Sequence, residues 1–188
     1  MLSNFPFKLD SNFLPKKDSK LLFNKLLETV EWERGEVTLY GKTYPIPRLQ
    51  AWFGDDGANY SYSGMNLKSN SWSKELLDLK NQIEKLTGYD FNSVLVNLYR
   101  DAADSNGWHR DNEKELGSDP IIASVSLGEN RLFKIRNKKT KEVTDLILES
   151  GSLLIMSKGS QLDWEHTLPK SKKIYRPRIN LTFRKVLI

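Results

Sequence analysis

The sequence contains no cysteine. That excludes a disulfide framework, a thiolate metal site and a catalytic thiol, so any bound metal must be held by nitrogen and oxygen ligands, and harder cations become the candidates. Histidine is scarce as well, with two in the whole chain. No apolar run approaches the ~18 residues of a membrane span, and MLSNFPFKLDSNFLPKKDSK lacks the basic region and apolar run of a secretory signal. The expectation is a soluble, intracellular monomer with no membrane partner, cytoplasmic in a bacterium and nuclear in a eukaryote. No repeat, low-complexity tract or linker marks off a second unit.

What is present suffices for one core. The 188 residues are 38% hydrophobic, and five Trp, seven Tyr and eight Phe supply bulk. The net charge of +5 favours an acidic partner, since a basic surface attracts phosphate backbones and releases their counterions. Many basic proteins nevertheless bind no nucleic acid.

Residues 1–17 read as an arm. Leu22, Phe23, Leu26, Leu27 and Val30 then recur at helical spacing behind an Asp18/Ser19 cap. EVTLYGKTYPIP (36–47) has two β-rich runs about Gly41-Lys42, a hairpin signal with Tyr40 beside the turn. NYSYSG (59–64) alternates aromatic with small residues. From Ser71 to Thr87, Trp72, Leu76, Leu79, Ile83 and Leu86 step by three and four and Gly88 is a stop, which predicts the clearest helix.

Thereafter the chain is short β-rich runs: 93–100, 121–127, 131–136, 143–148, 152–156 and 178–186. Two helices followed by such strands predict an α+β fold with helices packed on a β-sandwich or jelly roll. The Arg- and Lys-rich stretch 128–141 reads as an edge hairpin kept soluble by charge.

One histidine lies in His109-Arg110-Asp111 and the other is His166, 55 residues beyond Asp111. In a strand, residues i and i+2 project to one face, so His109 and Asp111 can present an imidazole and a carboxylate to one ion. Two His and one Asp are the facial triad of non-haem iron(II) oxygenases, although a His-x-Asp triplet is more often a surface pair. In RINLTFR (178–184), Arg178, Asn180, Thr182 and Arg184 share one face and Ile179, Leu181 and Phe183 the other. Two readings fit: an edge strand with solvated arginines, or an anion site in which guanidinium forks grip a dicarboxylate. With about 3.3 Å per residue, the two arginines start roughly 20 Å apart and must lean together to share one acid. Asn97 and Tyr99, again at i and i+2, either hydrogen-bond that acid or belong to the core.

The ordered set Asn97-Leu98-Tyr99, His109-Arg110-Asp111, His166 and Arg178-x-Asn180-x-Thr182-Phe183-Arg184 resembles the AlkB family of iron(II)/2-oxoglutarate dioxygenases. Pro47-Arg48, NYSYSG, Asn112-Glu113 and Gly151-Ser152-Leu153-Leu154 are similar to its duplex- and single-strand-repairing members; Asn112 stands where close relatives often carry Asp. The resemblance runs from about residue 36 to 187 and implies a double-stranded β-helix core over 36–188, behind an N-terminal arm and helix over 1–35. It implies that His109, Asp111 and His166 hold Fe(II), that Asn97, Tyr99, Arg178, Asn180, Thr182 and Arg184 form the 2-oxoglutarate site, and that O2 is the oxidant. The implied reaction removes alkyl groups oxidatively from N1-methyladenine and N3-methylcytosine in DNA. The same chemistry on RNA or a tRNA base is the alternative, and a nucleic-acid-binding jelly roll without catalysis is a third reading.

A flipped base needs a pocket. Tyr60, Ser61 and Tyr62 are candidates for its wall, with core aromatics as the equal alternative. Asn112 and Glu113 are candidates to read exocyclic groups, Arg48 to contact the substrate, and Tyr40-Gly41-Lys42 to probe the base stack. Lys134, Arg136, Lys138, Lys139, Lys141 and the run 170–176 could meet phosphates or be ordinary solvated surface.

Overall fold

Alternating apolar and polar residues give a strand one face for a core and one for chemistry, and both faces are used here. The computed structural model describes residues 5–39, 41–58, 60–62, 65–67, 69–173 and 176–187. The chain opens with β1 (Phe7–Asp10) and α1 (Lys16–Thr29). Two hairpins follow, β2 (Glu36–Leu39) with β3 (Lys42–Pro45), then, beyond β4 (Leu49–Gly54), β5 (Tyr60–Tyr62) with β6 (Met65–Leu67). After α2 (Lys74–Thr87) come β7 (Ser93–Tyr99), β8 (Asn106–His109), β9 (Ile122–Gly128), β10 (Arg131–Asn137), β11 (Val143–Leu148) and β12 (Leu153–Met156). A short α3 (Ser160–Asp163), β13 (Trp164–Leu168) and β14 (Arg178–Arg184) complete it.

The strands form a six-stranded sheet in the order β1-β12-β9-β14-β7-β4 and a four-stranded sheet in the order β11-β10-β13-β8. This is the jelly roll expected. Both helices cover the larger sheet: Ile179, Leu181 and Phe183 of β14 and Val94, Val96 and Leu98 of β7 pack with Leu26 of α1 and Leu76, Leu79 and Ile83 of α2. Removing this apolar area from water, worth about 25 cal/mol per Å², makes that face the main core. The opposite face of β14 therefore turns its polar residues toward the smaller sheet.

α2 has the ends its sequence specifies. Ser73 caps it by accepting the Leu76 N–H, and Gly88 ends it with a φ of 73°, a left-handed conformation open to glycine. Leu86 is 59% exposed in the last turn of the helix, one residue before its end. The arm expected over 1–17 instead holds β1, which pairs with β12 along Phe7↔Met156 to Asp10↔Leu153. α1 starts at Lys16 behind Pro15 rather than at the expected Asp18/Ser19 cap, and Ser19 Oγ turns back to Lys16 O at 3.1 Å. Pro15 stands at the N-cap with a φ of −55°, and no side chain accepts from the first turn. Among the described residues, no helix is long and apolar enough to cross a membrane.

Candidate metal and dicarboxylate site

β8 and β13 are neighbours in the smaller sheet with His109 and His166 in register, and the two imidazole rings meet edge to face at 4.3 Å. Asp111 completes the group, and one ligand atom from each residue lies within 4.8 Å of the others. Strand alternation is not what brings Asp111 there. β8 ends at His109, so the carboxylate is delivered by the chain just beyond the strand.

The donor set fits a divalent cation. Asp111 Oδ1 is buried and makes no hydrogen bond, a costly condition that a bound metal would relieve. His109 Nδ1 lies 2.8 Å from Gly107 O. A carbonyl only accepts, so Nδ1 carries the proton and Nε2 has the lone pair, which here accepts from Asn106 Nδ2 at 3.0 Å. Two nitrogens and one oxygen leave coordination positions open and suit Fe(II).

Burial would raise the Asp111 carboxyl, but Arg184, His166 and His109 outweigh it and hold the pKa at about 2. The strongest single partner is Arg184 Nη2, 2.9 Å from Asp111 Oδ2. Burial, and then the neighbouring His109, lower His166 from 6.5 to about 3, so it is neutral near pH 7 as a ligand must be. Burial lowers His109 also.

Acid lability of the metal-free protein follows. Unfolded His166 takes a proton near 6.5 whereas the folded one refuses it until about 3, so stability is lost as pH falls through that interval. At about 1.4 kcal/mol per pH unit, descent to pH 4 costs about 3 kcal/mol through this residue. The depressed Asp111 carboxyl has the same sign, losing its contribution as pH falls from the ordinary carboxylate range toward about 2. Urea midpoints at pH 7, 5.5 and 4 should fall steeply for the native sequence and less steeply for His166→Asn.

The other half of the site lies on β14 and its neighbours, with Arg178 opposite Tyr99, Asn180 opposite Asn97, and β9 on the far side. Arg178 is 2% exposed; its Nη2 donates to Ser126 Oγ at 2.9 Å and Asn180 Oδ1 at 2.8 Å, and its guanidinium carbon lies 5.4 Å from the centre of the Tyr99 ring. Its Nε has no hydrogen-bond partner. Burial lowers Arg178 to about 10, so it stays cationic at neutral pH. A buried cation bonded to neutral groups, with a donor to spare, fits a carboxylate.

Arg184 does something different. Arg184 Nη2 holds the carboxylate of Asp111 and Arg178 Nη2 bonds Ser126, while both guanidinium groups line the same cavity. Asn180 Nδ2 donates to Thr182 Oγ1 at 2.7 Å between them. Arg48 is buried too, donating through Nε to Asn97 Oδ1 at 2.9 Å and through Nη1 to Asn106 Oδ1 at 3.3 Å. A single cavity touches the three candidate ligands, Asn97, Tyr99, Arg48 and the four polar residues of β14.

The 2OG-Fe(II) oxygenase superfamily model matches residues 7–184. The chain is 40% identical over 183 residues to the DNA oxidative demethylase ALKBH2 of Mus musculus, covering 92% of this chain and 77% of that protein. It belongs to the AlkB family of 2OG-Fe(II) oxygenases. It is also 42% identical over 184 residues to alpha-ketoglutarate-dependent dioxygenase alkB homolog 3 of Bos taurus, which covers 93% of this chain; the chain spans 64% of that relative's length. In fold it is similar to a prolyl hydroxylase from Trichoplax adhaerens, with a TM-score of 0.68 at 16% identity, covering 98% of this chain and 85% of that one. The superfamily match begins at residue 7, well ahead of the motif resemblance, and takes in β1 and α1.

This AlkB-family cavity has walls that strand patterns did not single out. Phe133 stacks on His166 at 5.3 Å, and Asn106, Ser124 and Met156 line the same space. Ser124 and Ser126 alternate with Ala123 and Val125 in β9, a signal that the sequence does carry.

The substrate candidates are distributed differently. Gly41 turns the β2–β3 hairpin with a φ of 75° and Lys42 is exposed; Tyr40 and the side chains of Tyr60, Ser61 and Tyr62 lie outside the described residues. Asn112 is exposed and Glu113 half-buried before the 3-10 turn Lys114–Leu116, and neither lines the cavity. Lys134, Arg136 and Lys139 form ion pairs with Asp145, Glu165 and Asp163 at 2.9, 2.7 and 2.8 Å, and the Lys139 side chain remains 76% exposed. Lys170, Lys172, Lys173 and Arg176 are exposed.

Proposed function

We propose that the chain carries out Fe(II)- and 2-oxoglutarate-dependent oxidative dealkylation of N1-methyladenine and N3-methylcytosine in DNA, with release of an aldehyde, succinate and CO2. The observation that carries the reading is one cavity holding a His-Asp-His cluster and a buried arginine with a donor to spare. Bound Fe(II), with 2-oxoglutarate and O2, supplies oxidation of the alkyl carbon on a ring nitrogen, after which the hemiaminal releases aldehyde and the restored base. The neutral imidazoles of His109 and His166 and the anionic Asp111 present three donors. Arg178 would bind a carboxylate of 2-oxoglutarate through its spare donor, with Tyr99, Asn97, Asn180, Thr182 and Arg184 lining the same cavity. Leu95, Phe133, Met156 and Leu168 give the cavity an apolar wall that limits water.

A target base must leave its stack to reach such a recessed site. The exposed cations Lys170, Lys172, Lys173 and Arg176 are suited to phosphates, Tyr60 and Tyr62 to stacking, and Glu113 to the positive charge of the two lesions. DNA as the polymer is supported by the name of the mouse relative, a DNA oxidative demethylase.

The test loads the protein anaerobically with Fe(II) and 2-oxoglutarate, admits air with an oligonucleotide bearing one N1-methyladenine, and follows succinate, formaldehyde and base mass. Repair should appear in the native sequence and vanish in His109→Ala and Arg178→Ala. Succinate without DNA repair, with turnover on the matched RNA, would move the substrate to RNA; no product from folded, iron-loaded protein would reject the enzymatic reading.

A further inference from the structure

Gln161 is 1% exposed and sits on α3, five residues before His166. Burying a primary amide is costly unless its bonds are made, and those of Gln161 run into the frame of the metal site. Its Oε1 accepts the backbone N–H of Asp111 at 2.9 Å, across 50 residues of chain. Its Nε2 donates to Ser160 Oγ at 3.0 Å and points to Met156 Sδ at 3.5 Å, which fixes the amide with oxygen, not nitrogen, toward Asp111. In the reverse direction, Arg110 Nη1 reaches the carbonyls of Gln161 and Leu162 at 3.4 and 3.3 Å.

These contacts matter because of where Asp111 lies. It is two residues past the end of β8, so no sheet ladder fixes its main chain, yet its carboxylate must meet two imidazoles that are held by the ladder. Arg184 steadies one carboxylate oxygen and leaves Oδ1 toward the histidines, with Oδ1 3.8 Å from His109 Nε2. The main-chain end of that same residue is steadied by Gln161. We propose that Gln161 is a positioning residue for the metal centre: it anchors Asp111 from the segment that also bears His166, so that the three donors are preassembled before a metal arrives. Gln161 touches neither metal nor substrate in this role, and outer groups of this kind set how well ligands are aimed. The inference rests on His109, Asp111 and His166 being metal ligands. A glutamine that merely satisfies a buried amide would leave metal affinity untouched.

The experiment titrates metal-free protein with Co(II), whose visible absorption reports affinity and coordination geometry. Native sequence, His166→Ala, Gln161→Asn and Gln161→Glu are compared after circular dichroism has checked folding. Gln161→Asn withdraws the acceptor by one methylene and should weaken Co(II) binding by about 10- to 100-fold with a changed band shape. Gln161→Glu, held neutral by burial, keeps an acceptor at the same reach and a hydroxyl in place of the donor to Ser160 Oγ, and should stay close to the native affinity. Native protein whose Co(II) binding is indifferent to His166→Ala would defeat the ligand assignment itself. Native binding that depends on His166, with Gln161→Asn equal to it in affinity and spectrum, would overturn the role of Gln161 alone. Should Gln161→Asn fail to fold, the glutamate variant decides, since a folded Gln161→Glu weakened by about tenfold or more would also overturn it.

Discussion

Asp111→Ala is expected to abolish metal binding and turnover and, separately, to destabilise the metal-free protein by about 3 to 5 kcal/mol. The first loss follows from removing one of three candidate donors. The second belongs to Arg184, whose side chain is 4% exposed and whose Nη2 would lose the carboxylate 2.9 Å away. Removing one partner of a buried charge pair costs far more than the pair had contributed, which is why the stability loss exceeds that of an ordinary polar truncation. Asp111→Asn separates the two effects. It keeps an acceptor for Arg184, so it should retain more stability than alanine while still failing to hold metal. Urea denaturation with and without Mn(II) reads both: native protein gains stability with metal concentration, as any ligand of the folded state requires, and neither variant does. If Asp111→Ala matched the native midpoint in metal-free buffer, the Arg184 pair would have no such structural role.

Much of the fold was legible where one signal dominates locally. α2 has an apolar stripe, a Ser73 cap and a Gly88 stop, and β14 alternates without a break, so both read correctly to within a few residues. β4 was not legible: in LQAWFG three consecutive residues are buried, so period-two contrast is absent. β8 is NGWH, with two poor strand formers, and is a strand because β13 pairs with it. β1 is four residues at a sheet edge and depends on β12 in the same way. These elements exist through partners distant in sequence.

The same division applies to the site. With two histidines in the chain, the candidate metal donors were nearly fixed by scarcity, and the face carrying Arg178 and Arg184 by alternation. What each arginine holds was not readable, because Asp111 comes to Arg184 from beyond the end of β8, in the other sheet. Arg48 and Gln161 were likewise out of reach, since their roles consist of contacts across 49 and 50 residues with no local pattern.

Arg178→Met should act in the opposite sense to Asp111→Ala. KM for 2-oxoglutarate is expected to rise on the order of 100-fold, since truncating one member of a buried, hydrogen-bonded charge pair costs about 2 to 5 kcal/mol. Co(II) affinity measured without cosubstrate should change little, because Arg178 bonds Ser126 and Asn180 rather than a candidate metal ligand. Stability of the metal-free protein should hold or rise. Burial lowers the Arg178 pKa from 12.5 to about 10, which means the fold penalises this charge while no carboxylate is beside it. Methionine removes the penalty and leaves Ser126 Oγ and Asn180 Oδ1 short of one donor each, a smaller loss. Urea midpoints and cosubstrate titrations on the same preparations test this, and a variant that loses stability as Asp111→Ala does, with KM unchanged, would make Arg178 a structural residue. A rise in KM without a loss of stability would mean that the fold holds a costly bare cation, and the bound dicarboxylate would be what compensates it.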